Sequence, residues 1–276
     1  MSRSTSTIGS PDRRLRAPVA LALPALICLA VLALPLISLL VRTPWSDLAE
    51  LLSDESARTA LRLSLECAAA ATGLSLLFGV PLAWMLAKTD FPGRQLVRAL
   101  VTLPLVLPPV VSGLALLLAF GRRGVFGRYL DQWFGIQLPF TTAGVILAET
   151  FVAMPFLIVT VEGALRSADQ DLEEAATTLR ASRFTIFRRI TLPLIGPSLL
   201  AGSVLCFGRA LGEFGATITF AGNFSGTTQT MPLAVYDALE TNPDAAIALS
   251  LVLLATAVVI LTALHRRWLP AVGGGL

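Results

Sequence analysis

Charge is scarce in this chain: 14% of its 276 residues are Asp, Glu, Lys or Arg while 55% are hydrophobic, against roughly 25% charged residues in a soluble domain. A mean hydropathy of +0.75 excludes the one or two water-soluble domains that the length alone would allow. Histidine occurs once, as His265, at the edge of an apolar run beside Arg266 and Arg267. There it reads as a lipid-headgroup contact. Cysteine is present only as Cys28, Cys67 and Cys206, all in or beside apolar runs. This odd set without metal-like spacing implies neither a disulfide framework nor a metal site, and inert buried thiols are the expectation. An intramembrane enzyme would need a nucleophile with a base or a metal cluster, and the sequence offers neither. No G-x-x-x-x-G-K-[ST] sequence is present to cradle phosphates, so any ATP hydrolysis belongs to another protein. The alternation of barrel strands is missing too, which leaves helices as the structure able to cross a bilayer.

What is present is a series of apolar runs near the roughly 20 residues that span a bilayer. They cover residues 18–41, 63–87, 96–120, 142–165, 194–220 and 245–264. The fold class is therefore an all-α integral membrane protein of about six transmembrane helices. The first run follows Arg13, Arg14 and Arg16 but exceeds a signal-peptide core and has no clear small-residue cleavage site, so it reads as a span. With the N-terminus in the cytoplasm, the outer segments hold only Arg42, Arg58, Arg62, Arg122, Arg123 and Arg128. The other Lys and Arg outside the spans then fall inside, which places both termini in the cytoplasm of a cell-membrane protein.

The organisation follows. Residues 1–17 form a disordered tail, 18–41 an additional N-terminal helix, 60–265 the main domain and 266–276 a cytoplasmic tail. The acidic outer connection 42–61 contains Ser46 or Asp47 as a cap for a short amphipathic helix. The loop GRRGVFGRYLDQWFG, residues 121–135, sets Tyr129 and Trp133 at headgroup level. Pro104, Pro108 and Pro109 are expected to kink or break the third run.

One polar segment stands out, DLEEAATTLRASRFTIFRRITLPL at residues 171–194. Asp169, Asp171, Glu173 and Glu174 gather at the start of a predicted helix, with Arg180 and Arg183 towards its end, as the helix dipole favours. A second helical stretch, 183–189, leads to Pro193, which is expected to start the next span. Glu174, Ala175 and Ala176 are followed after three residues by Arg180, and after nine more by Ile190, Thr191, Leu192 and Pro193.

This spacing resembles the hallmark of the inner-membrane permease subunits of ATP-binding-cassette importers: E-A-A, three residues, Gly, nine residues, I-x-L-P. Arg180 stands where the family has glycine. A turn at positive φ suits Gly better than Arg, so either the turn shifts to another residue or it is strained. LPLVLPPVVSG (103–113), GRRGVFG (121–127), GRALGEFGATITFAGN (208–223) and TMPLAVYDALE (230–240) look like the molybdate branch, whose vocabulary the sulfate permeases share.

The resemblance implies a type I importer permease whose coupling loop, 171–193, docks on an ATP-binding subunit through Glu173, Glu174, Ala175, Ala176, Arg180, Leu192 and Pro193. It also implies two copies of that ATPase, carrying ATP and magnesium, an extracytoplasmic oxyanion-binding protein and a second permease copy. No cofactor, metal or nucleic acid is expected on this chain. The external protein would deliver its anion near the hydrophilic segment 223–245, which lacks Lys and Arg. Molybdate is the expected cargo, with tungstate and sulfate as alternatives.

A dianion is costly in hydrocarbon, so its path needs polar lining. Arg209 either attracts the anion or pairs with Glu213, and both roles are open. Thr217, Thr219, Thr102 and Ser112 are path candidates, although such hydroxyls often bond back to their own carbonyls. Gly208, Gly212 and Gly215 favour close helix packing. Glu149 and Glu66 read as structural partners, Glu66 of Arg62. An ion-gradient-driven transporter would use Arg209, Glu213 and Glu149 as coupling charges, but the chain lacks an inverted repeat, and that mechanism does not require the spacing from Glu174 to Pro193.

Overall fold

The computed structural model describes residues 19–168 and 170–265, and every regular element among them is helical. The expected tails, Asp169, and the side chains of Asp171, Glu173 and His265 lie outside the described residues. The chain divides between Thr43 and Pro44 into two units. The first contains α1 (Val19–Arg42), a 24-residue helix exposed on opposite sides, at Leu32 on one and at Leu23 and Val41 on the other. Apolar all round, it has the surface of a lipid-facing helix.

The second unit opens with α2 (Leu48–Ser53), which follows Asp47 without a side-chain cap. Asp54 caps α3 (Glu55–Leu74), accepting from the Ser56 N–H at 3.2 Å and the Ser56 hydroxyl at 2.8 Å. This helix starts eight residues before the expected apolar run, because its exposed first turns are polar and carry the Arg62–Glu66 pair. It continues through a π turn (Ser75–Gly79) into α4 (Val80–Lys88), a 34-residue crossing from Glu55 to Lys88.

The third run is two helices, α5 (Arg94–Val106) and α6 (Pro109–Phe120). The α region is disfavoured for a residue before a proline; Leu107 and Pro108 accordingly take extended ψ values of 134° and 137°, whereas Pro104 lies inside α5 without breaking it. The 12 residues of α6 reach about 18 Å at 1.5 Å per residue, short of a bilayer core. A glycine-rich turn leads to α7 (Gly127–Phe134).

The centre of the unit is α8 (Thr142–Ser167), started by Thr141, whose hydroxyl accepts the Gly144 N–H at 3.1 Å. It packs against α3, α4 and α11, and its Val161, Leu157 and Leu165 are fully buried with Ala68, Ala71 and Ala83. Small side chains let these backbones approach, the packing that holds helices together in lipid. Gly202 illustrates the fit, since a Cβ there would lie 3.0 Å from Leu157 Cδ1.

After α8 come α9 (Gln170–Thr178), α10 (Arg183–Ile186), a second π turn (Phe187–Thr191) and α11 (Leu192–Leu211). Arg183 therefore begins its own helix instead of ending α9. Nor does Pro193 start a span: the helix is continuous from Arg183 to Leu211. Both π turns end two residues before a proline, Pro81 and Pro193. A proline ring clashes with the carbonyl four residues back, and the wider π turn accommodates that carbonyl without ending the helix. The fifth run also breaks, at residues 212–214, before α12 (Gly215–Phe220). The unit closes with α13 (Met231–Thr241) and α14 (Pro243–His265).

Candidate functional site

Two regions carry the residues singled out from the sequence, one at each side of α8. The first is the polar loop. In α9 Glu174 and Ala175 are exposed and Ala176 is buried. The helix ends in a Schellman turn: the Ala181 N–H bonds the Ala176 carbonyl at 3.1 Å and the Arg180 N–H bonds the Thr177 carbonyl at 2.9 Å. Such a turn needs a left-handed residue, and that residue is Arg180, with φ +58°. The turn has not moved from the glycine position of the motif; arginine adopts the glycine conformation there. Leu192 is half-buried and Pro193 exposed, both at the start of α11.

Three side chains absent from the sequence-based set also mark this surface. Leu172, Leu179 and Phe184 are 50%, 82% and 71% exposed, large apolar side chains left uncovered on an otherwise charged loop. Scattered single apolar residues carry no periodic signal, so only the folded loop shows that they are uncovered. A cavity of about 250 Å³, lined by Trp84, Lys88, Thr177, Arg183 and Phe187 among others, lies between the end of α4 and the loop.

A charge cluster at the same end of α8 was also not singled out. Glu162, 7% exposed, receives Arg98 at 2.6 Å and Arg166 at 3.1 Å on one carboxylate oxygen. Arg94 bonds the Leu86 carbonyl at 2.8 Å and thereby caps α4. The cluster ties α4, α5 and α8 together. The Glu162–Arg166 spacing of four residues was readable; Arg98, 64 residues away, was not.

The second region lies where α6, α8 and α12 meet. Arg209 and Glu213 are paired at 2.6 Å, with the carboxylate 1% exposed. The other Glu213 oxygen accepts the Ala216 N–H at 2.7 Å. One carboxylate thus balances a cation and satisfies the first turn of α12 where α11 has broken. Gly215 sits on Pro109, a Cβ there falling 2.7 Å from Pro109 Cβ, while Gly113 packs on Ala216 and Thr219. Close packing was expected for Gly208 and Gly212 as well. In the chain alone they meet nothing of another helix, since α11 turns that face away from the unit's core.

The hydroxyls divide. Thr219 bonds the Gly215 carbonyl at 2.8 Å and Thr102 bonds the Arg98 and Ala99 carbonyls. Ser112 and Thr217 are fully buried with no hydrogen-bond partner among the described residues. Glu149 was expected to have a structural partner; among the described residues it has none, being 1% exposed with an unsatisfied carboxyl oxygen. It stands within electrostatic reach of Glu213 instead. Glu66 does pair with Arg62, at 2.6 Å.

At the end of the unit away from α9, Asp237 accepts bonds from the Asn223 and Gln229 amides at 2.8 Å and 2.7 Å. It borders a cavity of about 570 Å³ that is also lined by Asp47, Glu50 and Asp54.

The family described as "Binding-protein-dependent transport system inner membrane component" matches residues 79–270. The molybdenum transport system permease protein ModB of Mycobacterium tuberculosis is 48% identical over 89% of this chain and 92% of its own. ModB of Escherichia coli is 42% identical over 77% and 93%. The sulfate transport system permease protein CysT of Salmonella typhimurium is 36% identical over 87% of each. Among solved structures, a bacterial ABC transporter involved in alginate import matches with a TM-score of 0.71 and 23% identity, covering 91% of this chain and 94% of that one. The MetNI methionine ABC transporter matches with a TM-score of 0.56 and 20% identity, over 85% and 96%. These two carry the fold, and the ModB relatives carry the family: the chain belongs to the binding-protein-dependent transport system inner membrane components, the permeases of ATP-binding-cassette importers.

Proposed function

We propose that this chain is the permease through which an ATP-driven importer passes molybdate. The observation that carries the cargo is the order of identities, 48% and 42% to ModB permeases against 36% to a CysT sulfate permease. Sulfate and tungstate are the alternative cargoes, being tetrahedral dianions of related size.

In this reading α9 docks on a separate ATP-binding subunit, two copies of which hydrolyse ATP with magnesium. The exposed Glu174, with the exposed Leu172, Leu179 and Phe184 on the same loop, supports that docking surface. The permease itself is not catalytic. An extracytoplasmic binding protein delivers the anion at the end away from α9, and a second permease copy completes the path. Both termini face the cytoplasm, with the chain in the inner membrane. Nucleotide-driven closure of the ATPases then biases a bistable permease between inward and outward states. The Arg209–Glu213 pair stands at a broken helix, where an approaching dianion competes with Glu213 for the guanidinium.

The test is uptake into vesicles holding the permease with its ATPase and binding protein. Molybdate accumulation that needs ATP and is resisted by a large excess of sulfate supports the proposal. Preferential accumulation of sulfate assigns the chain to the sulfate alternative. Uptake without ATP or binding protein means a gradient-driven transporter and sinks the reading.

A further inference from the structure

The transport reading leaves the GRRGVFG turn and α7 without a task, yet both are built in detail. The last carbonyls of α6 are capped by the turn itself, the Val125 N–H bonding Leu118 at 3.0 Å and the Phe126 N–H bonding Ala119 at 2.9 Å. Glycines make this possible: a Cβ on Gly127 would lie 2.0 Å from the Gly121 carbonyl oxygen, and one on Gly124 2.7 Å from that of Leu118. The fold-back fixes α7 beside the end of α6. Between them lies a cavity of about 540 Å³ lined only by Phe120, Phe126, Tyr129, Leu130, Trp133 and Phe134.

Charged residues alternate with these aromatic ones along the segment. Arg122 pairs with Asp131 at 3.2 Å. Asp131 is held below the ordinary carboxylate range, first by the Gln137 amide and then by Arg122, so it stays ionised and occupied. Arg128 lies across Tyr129, its guanidinium carbon 4.6 Å from the ring centre and a nitrogen 2.7 Å from the phenol oxygen. Among the described residues neither Arg128 nor Arg123, both exposed, has a carboxylate partner. Arg128 thus reaches the cavity wall through Tyr129, and Arg123, exposed on the turn before α7, adds a second guanidinium without a carboxylate partner among the described residues, on a loop joined to the end of α8 opposite α9.

We propose that this cavity is a binding site for one anionic phospholipid, its acyl chain among the aromatic side chains and its phosphate on Arg123 and Arg128. Guanidinium donors match phosphate oxygens, and an amphipathic element with an aromatic face and basic rim suits the bilayer interface. A soluble oxyanion would use the arginines but has no need of a wall without polar groups. The site stands on the chain's membrane location and is independent of which anion is transported.

The measurement is quenching of Trp133 fluorescence by phospholipids with brominated acyl chains, in full-length permease whose Trp45, Trp84 and Trp268 are replaced by Phe. Brominated phosphatidylglycerol should quench at about tenfold lower mole fraction than brominated phosphatidylcholine, the preference expected from two guanidinia near the surface. Arg123→Gln with Arg128→Gln should abolish that preference while leaving equal quenching by both lipids, which shows that the variant is still inserted. Equal quenching by the two lipids in the parent overturns the proposal, as it means mere immersion in the bilayer. Recovery of fluorescence on adding inorganic phosphate or molybdate also overturns it, in favour of a soluble-anion site.

Discussion

At the scale of single residues, the sharpest observation is an arginine holding a glycine's conformation. A non-glycine residue in the left-handed region costs about 1–2 kcal/mol, and Arg180 bears that strain at φ +58°. Arg180→Gly should relieve it, slowing hydrogen exchange of the Arg180 and Ala181 amides several-fold, with ATPase copurification undiminished. Arg180→Ala keeps the strain and should exchange like the parent. Loss of copurification in both variants would assign the guanidinium a contact of its own. The Arg209–Glu213 pair makes a different prediction, because its members differ in burial: the carboxylate is 1% exposed and the Arg209 side chain 28%. Arg209→Ala strands a buried charge, for which about 3–5 kcal/mol is usual. Glu213→Gln still offers an oxygen to the Ala216 N–H and strands only the wetter cation, so it should cost less. Thermal unfolding in nanodiscs should rank Arg209→Ala well below Glu213→Gln, and the reverse order would mean that Glu213 serves chiefly to hold the start of α12.

At the scale of elements, glycines with the same name do unlike work. Gly127→Ala drives a methyl into the Gly121 carbonyl and should unfold the turn between α6 and α7, abolishing the folded yield. Gly135, at φ +65° in open space, carries only a conformational demand, and Gly135→Ala should lower stability by about 1 kcal/mol. Similar melting of the two variants would contradict the fold-back. Element by element, length and hydropathy made α1, α8 and α14 legible, since each is one uninterrupted apolar helix. Breaks were legible only where proline caused them. Pro108 and Pro109 divide α5 from α6 as expected, but Pro104, grouped with them in that expectation, lies inside α5 without ending it, and Pro81 and Pro193 do not interrupt their helices, because π turns absorb them. Nothing local in GRALGEFGA announced that α11 ends at Leu211; the Glu213 bond to Ala216 and the seat of Gly215 on Pro109 are tertiary. The motif of the polar loop was legible through spacing, while the exposure of Leu172, Leu179 and Phe184 and the cross-helix partner Arg98 of Glu162 needed the fold. Gly208 and Gly212 show the opposite failure, a packing pattern whose partner helix is not in this chain's own core.

At the scale of the whole molecule, the proposed coupling role asks α9 to transmit force across a unit whose core is elsewhere. Its nine residues contribute little to that core, Ala176 being its buried hydrophobic residue among those described, so disturbing its outer face should not disturb insertion. Glu174 is exposed, as are Leu179 and Phe184 on the same loop. A carboxylate in the first half of α9 also complements the helix dipole, which an arginine there opposes by a few tenths of a kcal/mol, too little to unfold a helix anchored at both ends. Charge reversal in an interface costs far more, because like charges are brought together and water is excluded. Glu174→Arg is therefore expected to leave membrane expression and thermal unfolding within error of the parent while reducing ATPase copurification at least about tenfold, with ATP-dependent uptake falling in parallel. Leu179→Ala, which removes apolar contact without changing charge, should weaken copurification by a smaller factor. Undiminished copurification with Glu174→Arg would place the ATPase contact away from α9 and remove the physical basis for reading this loop as the lever of transport.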